Sequence, residues 1–397
     1  MANPRRIGLG VVGFGWMGQA HARSCLRLPT LFDNRAYHPE LVICADNIAA
    51  RRHIAQNNFG FQQATEDWQR AIEHPDVDVV FVCAPNMLHE ALTTAAAAAD
   101  KHLFCEKPVG GTPNQTARIA HACRQAKIIT GVGYNYRFAP LVLHAQELIA
   151  AGDLGQITNY RGRFFSMYGA DPMGLLSWRF LLEQGGHGAT TDILSHTLDL
   201  ALMLNGPITK VVGIGETFIT ERPLPAQAGT HYDRGQQGDP TGKVTNEDYF
   251  AALAVFANGS HGTFEASRTL MGPQSQMAFD IYGTQGALSW NHEDLNKLQV
   301  FQSTNPQKGY TTVRASERHP YHGAFVPGDA NSIGFEDMVA IQDHEFLTAV
   351  AENRPHSAGI DQALACVSVQ AAMLKSWETG AWEPVIPLEP VTSRGSQ

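Results

Sequence analysis

The chain has 397 residues, 44% of them hydrophobic and 17% charged, with a formal net charge of −9. It is too long for one ordinary core and too apolar for a disordered chain, so two domains are expected. The acidic balance, with no Lys/Arg cluster, excludes nucleic acid as the main partner, and no apolar stretch approaches the ~20 residues of a membrane span.

In chain order, IGLGVV from Ile7 predicts a strand, Gln19 to Leu28 a helix, and LVICA from Leu41 a second strand. Thr65 is expected to cap a further helix, with Glu66 and Asp67 in its first turn. VDVVFVCA follows as a strand, then an alanine-rich helix near Leu88 to Ala99, the strand HLFC from His102, a helix from Pro113 to Ala126 and the strand IITGV. This alternation is the βαβ pattern of a parallel sheet closing about Gly133. Beyond Tyr134 come a helix from Pro140 to Ala150, long strands and a central helix from Ala189 to Leu204. The expected fold class is therefore α/β: a dinucleotide-binding domain over 1–133, then over 134–397 an α+β substrate-binding and oligomerisation domain. That second domain should carry a large open, mainly antiparallel sheet, with the C-terminal helix packing back on the first. Residues 221–243 are rich in Pro, Gly, Gln and Asp and read as a long excursion between strands.

The opening residues run into the first strand without a separate signal core, which points to the cytoplasm. Cys25, Cys44, Cys83, Cys105, Cys123 and Cys366 form no C-x-x-C pair and read as reduced, mostly buried thiols. The 17 histidines show no metal-ligand spacing, so no metal is expected.

GFGWMG, Gly13 to Gly18, has G-x-G-x-x-G spacing between a strand and a helix. Gly13 permits the tight turn, Gly15 lets backbone amides approach a pyrophosphate, and Gly18 allows close helix packing. A plain glycine turn is the alternative, which the βαβ context disfavours. Asp46 ends the second strand, where a carboxylate accepts from ribose hydroxyls and repels a 2′-phosphate, favouring NAD over NADP. Arg51 and Arg52 read as solvated charges on the next helix.

HLFC delivers Glu106, Lys107 and Pro108 to the sheet edge where ligands bind. A lysine there can donate to a reacting oxygen; the alternative is an ordinary surface lysine. In GGHGATTDILSHTLDLALML, Asp192, His196 and Asp199 stand at i, i+4 and i+7 and should share one helix face. No other ionisable residue lies between Ala189 and Leu204, and buried charges must be paired or used. His196 can accept a hydroxyl proton, and Asp192 can orient its ring or hold a neighbouring hydroxyl. The alternative is a structural Asp/His pair.

Taken in order, Gly13 to Gly18, Pro85 and Asn86 with His89, the EKP at Glu106 to Pro108, ELIAAGDLGQI, and Asp192, His196 and Asp199 resemble the glucose-fructose oxidoreductase/inositol dehydrogenase/MocA family. The resemblance implies a Rossmann domain followed by a sheet-faced substrate domain, with Lys107, Asp192 and His196 catalytic and also touching substrate. It implies cofactor contacts at Gly13, Phe14, Gly15, Trp16, Met17, Gly18, Asp46, Pro85, Asn86, His89, Glu106 and Lys107, and sugars or cyclitols as substrates. YNYRFAP, ADPMGLLSWRF, ITERPLP and HPYHG resemble members that oxidise the C3 hydroxyl of a 1,6-anhydro sugar with NAD. His187 interrupts the family's glycine cluster, and Thr190 and Thr191 replace a Leu and a small residue; these departures bear on substrate identity rather than reaction type.

Tyr136, Arg163, Tyr168, Trp178 and Arg179 are candidate sugar contacts, because sugars need hydrogen-bonding groups and an aromatic face, although core or surface packing would account for each equally well. The expected chemistry is oxidation of a secondary hydroxyl, with His196 as base, Lys107 stabilising the oxyanion or relaying the proton, and Asp192 orienting the pair. A non-catalytic NAD/sugar sensor and a redox-assisted glycosidase are the competing readings. The open sheet face predicts a homodimer or homotetramer.

Overall fold

The alternating apolar runs of the first third wind a six-stranded parallel sheet. The computed structural model describes residues 4–225 and 232–389. Its first unit runs β1 (Arg5–Val12), α1 (Trp16–Leu31), β2 (Tyr37–Ala45), α2 (Ala49–Phe59), β3 (Gln63–Thr65), α3 (Trp68–Ile72), β4 (Val79–Val82), α4 (Asn86–Ala98), β5 (His102–Cys105), α5 (Pro113–Ala126) and β6 (Thr130–Val132). The strand order is β3-β2-β1-β4-β5-β6. It reverses between β1 and β4, which opens a crevice at their C-terminal ends, the place where α/β sheets bind ligands.

Local chemistry explains the helix boundaries. Thr112 and Gln115 form a capping box with Pro113 in the first turn, so α5 starts where the sequence indicated. The expected Thr65 cap is corrected: Thr65 ends β3, and the Asp67 carboxylate caps the short α3 by accepting from the amides of Gln69 and Arg70. The Thr65 hydroxyl instead accepts from the amide of Asp67, forming a turn ahead of the helix.

The second unit contains α6 (Pro140–Ala150), β7 (Ile157–Ser166), α7 (Leu182–Gly185), a π-helical turn over Gly188–Ile193, and α8 (Leu194–Asn205). It continues through β8 (Ile208–Glu216), β9 (Glu221–Pro223), β10 (Thr241–Lys243), β11 (Tyr249–Phe256), β12 (His261–Ser267), β13 (Ser275–Gly283), β14 (Gly286–Asn291), β15 (Lys297–Gln302) and β16 (Thr311–Arg314). It ends with α9 (Phe335–Glu352), α10 (Ile360–Thr379) and β17 (Glu383–Pro384). Nine of the strands form one sheet ordered β16-β15-β14-β13-β7-β12-β11-β8-β17, antiparallel except at β7/β12.

Alternation along the strands separates two faces. In β7, Tyr160, Gly162 and Phe164 are buried on the face that α8 covers, while Arg161 and Arg163 point the other way. That other face leaves Ile214 at 63% and Leu253 at 51% exposure. Two C-terminal helices return to the first unit: α9 packs along α1, and α10 packs along α5 as well as β8. Among the described residues no helix is long and apolar enough to cross a membrane.

The 221–243 segment differs from a featureless excursion, although 226–231 lie outside the described residues. At its base β9 and β10 pair antiparallel. Arg222 is buried beneath them, donating to the carbonyls of Gly169 and Asp171 and lying 3.9 Å over the Phe180 ring. The hairpin therefore covers the 169–176 segment, which leads into the candidate site.

Candidate active site

The three glycines of the loop after β1 do three different jobs. Gly13 has φ +91°, and a Cβ there would lie 2.7 Å from the Ala84 amide nitrogen. A Cβ at Gly18 would lie 2.1 Å from the Gly13 carbonyl, so α1 can sit this close to β1 only without a side chain. At Gly15 a Cβ would meet nothing within 4 Å. The space in front of Gly15 is open, and α1 begins there with no side-chain cap on its first amides.

Asp46 accepts from the amides of Phe14 at 2.7 Å and Ile48 at 2.8 Å, fastening the end of β2 to the glycine loop. Arg51 and Arg52 are not purely solvated: Arg51 approaches the Asp46 carboxylate at 3.4 Å, and Arg52 donates to its carbonyl at 2.8 Å. A helix end with free amides, an unobstructed backbone at Gly15 and a carboxylate ending β2 fit a dinucleotide. The Phe14 ring is no cofactor contact, because it is wholly buried edge-on to Phe59 and Phe61 at 5.1 and 5.5 Å. Met17 is half-buried. Trp16 is 64% exposed and stacks on Phe335 at 5.3 Å.

Behind the loop lies a charge network that sequence reasoning missed. His21, on α1, faces Asp343 at 2.9 Å through Nδ1 and Glu106 at 3.0 Å through Nε2, and all three are buried. Burial alone would lower the imidazole, but the two carboxylates overcome it and raise His21 to about 10. Glu106 thereby anchors this turn, with its other oxygen accepting from the Lys107 amide at 3.2 Å. His89 acts likewise: its ring nitrogens lie against the carbonyls of Pro108 at 2.9 Å and Ala84 at 2.7 Å, pinning two loops of the crevice. Asn86 donates to the Gly185 carbonyl at 3.0 Å and so clamps the two units together, while Pro85 supplies the N-cap of α4.

From this anchored turn the Lys107 ammonium reaches across to the second unit. It donates to both the carboxylate and the carbonyl of Asp192, each at 2.9 Å. Asp192 stands on the π-helical turn, which exists because Glu247 intrudes. Its carbonyl and carboxylate take the amides of Ala189 and Thr190, each at 2.9 Å, and a Cβ at Gly188 would lie 2.0 Å from that carbonyl. Tyr168 and Arg179 also hold the Asp192 carboxylate, at 3.0 and 3.4 Å. Burial would raise this carboxyl, but the charges of Lys107 and Arg179 keep it well below the usual carboxylate range.

Asp192 therefore orients Lys107, not the imidazole. His196 Nδ1 is buried with no partner, leaving Nε2 as the nitrogen that can meet a ligand. The ring is set instead by aromatic neighbours, Tyr136 edge-on at 4.7 Å and Phe164 tilted against it at 5.9 Å. Burial, reinforced by the Lys107 charge, holds His196 well below its ordinary value, so it is neutral at pH 7 and can accept a proton. Asp199 does not share the site. It turns to the buried Arg137 guanidinium at 2.5 Å, because that cation needs a partner.

Of the candidate sugar contacts, Tyr136, Tyr168 and Arg179 gather around Asp192 and His196, and Trp178 lies under the Arg179 guanidinium at 4.5 Å. Burial pushes the Tyr136 phenol up to about 12. Arg163 is excluded: strand alternation puts it on the opposite sheet face, paired with Asp280 at 2.7 Å. His187 approaches Glu247 at 3.3 Å, and so braces the π-helical turn. His292, which no motif marked, lies edge-on to Tyr136 at 4.9 Å.

Residues 7–134 match the oxidoreductase family with an NAD-binding Rossmann fold, and residues 142–289 match the GFO/IDH/MocA C-terminal domain. Levoglucosan dehydrogenase of Pseudarthrobacter phenanthrenivorans is 32% identical over 385 residues, 96% of this chain and 98% of its own length. Its namesake in complex with NADH and levoglucosan superposes with a TM-score of 0.90 at 32% identity, over 96% of this chain and 100% of that one. The scyllo-inositol 2-dehydrogenase (NAD(+)) of Bacillus subtilis is 26% identical over 70% of this chain and 72% of its own length. The chain belongs to the GFO/IDH/MocA family of oxidoreductases, with an NAD-binding Rossmann domain at its N-terminus.

Proposed function

We propose that the protein is an NAD-dependent dehydrogenase that oxidises a secondary hydroxyl, at C3, of an anhydro sugar such as levoglucosan or of a related glycoside or cyclitol. The observation that carries this reading is the Lys107 ammonium held by Asp192 across the domain junction, beside an uncharged His196. Similarity to levoglucosan dehydrogenase along nearly the whole chain supports the substrate class.

His196 Nε2 takes the hydroxyl proton, and Lys107 donates to the oxygen as negative charge develops on it. Asp192 fixes Lys107 for that task, while Tyr168 and Arg179 fix Asp192. When bound, NAD supplies the acceptor for the hydride leaving the carbinol carbon, so the alcohol becomes a ketone and the proton stays on His196. Gly15, the free amides of α1 and Asp46 are the groups that would hold it. The intact Lys107–Asp192 pair favours turnover over a silent sensor. The open face around Ile214 and Leu253 is proposed to pair with a second copy, giving a homodimer or homotetramer.

The test is nicotinamide reduction with NAD and NADP over levoglucosan, inositols, glucose, 1,5-anhydro sugars and glucosides. NAD-dependent turnover of at least one of these is expected, falling about 10²- to 10⁴-fold in His196→Ala and Lys107→Ala. Near-native turnover in both variants, or no reduction across the panel, overturns the assignment.

A further inference from the structure

Tyr136 touches His196 on one side and His292 on another, and beyond His292 lies a second concavity of about 400 Å³. Its walls include His292, Asp294, Asn296, Arg314, Ser332 and Phe335. Nothing in the chemistry at His196 uses it.

The concavity is built rather than incidental. The Asn296 side chain donates to the Ile333 carbonyl at 2.9 Å and accepts from its amide at 3.1 Å, locking the wall that carries Ser332 and Phe335. Phe335 is held as a platform, stacked on Trp16 at 5.3 Å and 22° and met edge-on by His292 at 6.3 Å. Polar groups from separate elements line the same concavity. Among the described residues Arg314 makes no ion pair, whereas Asp294 is paired with Lys297 at 2.8 Å. The lining carboxylates of Glu293 and Asp294 balance the cations of Lys297 and Arg314. A balanced, hydrogen-bonding lining beside a fixed aromatic ring suits a neutral polyhydroxylated ring better than a phosphate or a carboxylate.

Position completes the argument. Ring centroids step 4.7 Å from His196 to Tyr136 and 6.4 Å from Tyr136 to Phe335, which puts the platform within the reach of a disaccharide whose other ring lies at His196.

We propose that the His292–Phe335 concavity is a second sugar subsite, so that the preferred substrate is a glycoside whose oxidised ring sits at His196 and whose second hexose lies in the concavity against Phe335, Arg314 and Asp294. The proposal rests on the dehydrogenase reading above.

The test compares KM for glucose, methyl β-glucoside, cellobiose and maltose at saturating NAD, in the wild type and in the surface variants Arg314→Ala and Asp294→Ala. A disaccharide KM about tenfold below that of glucose is expected, with each variant raising the disaccharide-to-glucose KM ratio by about tenfold. A disaccharide KM no lower than that of glucose, or a ratio unmoved in both variants, overturns the subsite. If no sugar is oxidised, the dehydrogenase reading falls by itself. Calorimetric titration of NADH-loaded protein with cellobiose and maltose then decides the subsite: Arg314-dependent binding supports it, and its absence overturns it.

Discussion

The same substitution, Gly to Ala, is expected to have different effects at positions three residues apart. At Gly15 the backbone is extended (φ −73°, ψ −159°) and an added Cβ meets nothing within 4 Å, so the apo protein should tolerate alanine. The stiffer unfolded chain, worth up to ~1 kcal/mol, is set against the poorer capping of alanine at this N-cap, so apo stability should change little. At Gly18 the methyl would lie 2.1 Å from the Gly13 carbonyl. Helix propensity favours alanine there by ~1 kcal/mol, but separating α1 from β1 costs on the order of 1–3 kcal/mol or more, so the clash wins. The Gly15 methyl instead fills the space through which a pyrophosphate would approach the amides. Losing one charge-assisted hydrogen bond costs about 1.5–3 kcal/mol, or roughly a 10- to 100-fold weaker Kd. Thermal unfolding of the apo proteins and fluorescence titration with NADH separate the two cases. A Gly15→Ala variant that binds NADH like the wild type, or melts as early as Gly18→Ala, would refute the assignment of the loop.

Other consequences follow from the charges. Because His21 is raised from 6.5 to about 10 in the folded state, its stabilising contribution is complete below pH 6.5 and is lost as pH climbs towards 10. Unfolding free energies of the wild type from urea titration should therefore fall across that window, by about 5 kcal/mol at most, and His21→Gln should flatten the decline; equal slopes in both proteins would contradict it. With His196 held well below its ordinary value, kcat/KM for oxidation should stay level from pH 8 down to 6.5; an acid limb at or above pH 7 would show that His196 is not the neutral base. Arg163→Ala should leave kcat/KM within about twofold, since Arg163 faces away from α8 and is paired with Asp280; a tenfold loss in steady-state kinetics would return it to the substrate site.

Where contacts are local, the sequence was readable. The glycine loop, α5 with its capping box, and the strands alternating with helices all depend on residues a few positions apart. What it concealed is non-local. His21 lies three residues after Gly18, in plain view, but its partner Asp343 is 322 residues away, and only the pair explains why Glu106 turns inward. The i, i+4, i+7 pattern assumed a regular α-helix. Glu247, just ahead of β11 and distant in sequence, imposes a π-helical turn and a different role on Asp192, and Arg137 claims Asp199. For Arg163 the signal was present, because Phe164 is the apolar neighbour that must face α8 and so sends Arg163 outward.

The proposed catalytic geometry is a property of the junction between the two units, and Asp192 is its most sensitive point. Lys107 comes from one unit, Asp192 and His196 from the other, and Asn86 with Gly185 clamps the same seam. The Asp192 carboxylate is the negative charge between the Lys107 and Arg179 cations, and it also partly offsets the influence of Lys107 on His196. Asp192→Asn would keep the shape but leave two neighbouring cations uncompensated next to the base, pushing His196 lower still and freeing Lys107 to swing away. A lower base pKa is a weaker base, so both effects reduce proton transfer while the glycine loop is untouched. The expected result is a fall in kcat of at least 10²-fold with the NADH Kd changed less than threefold. A variant that lost NADH binding in proportion to kcat would show instead that Asp192 acts by holding the units together, and that the Lys107 contact is incidental.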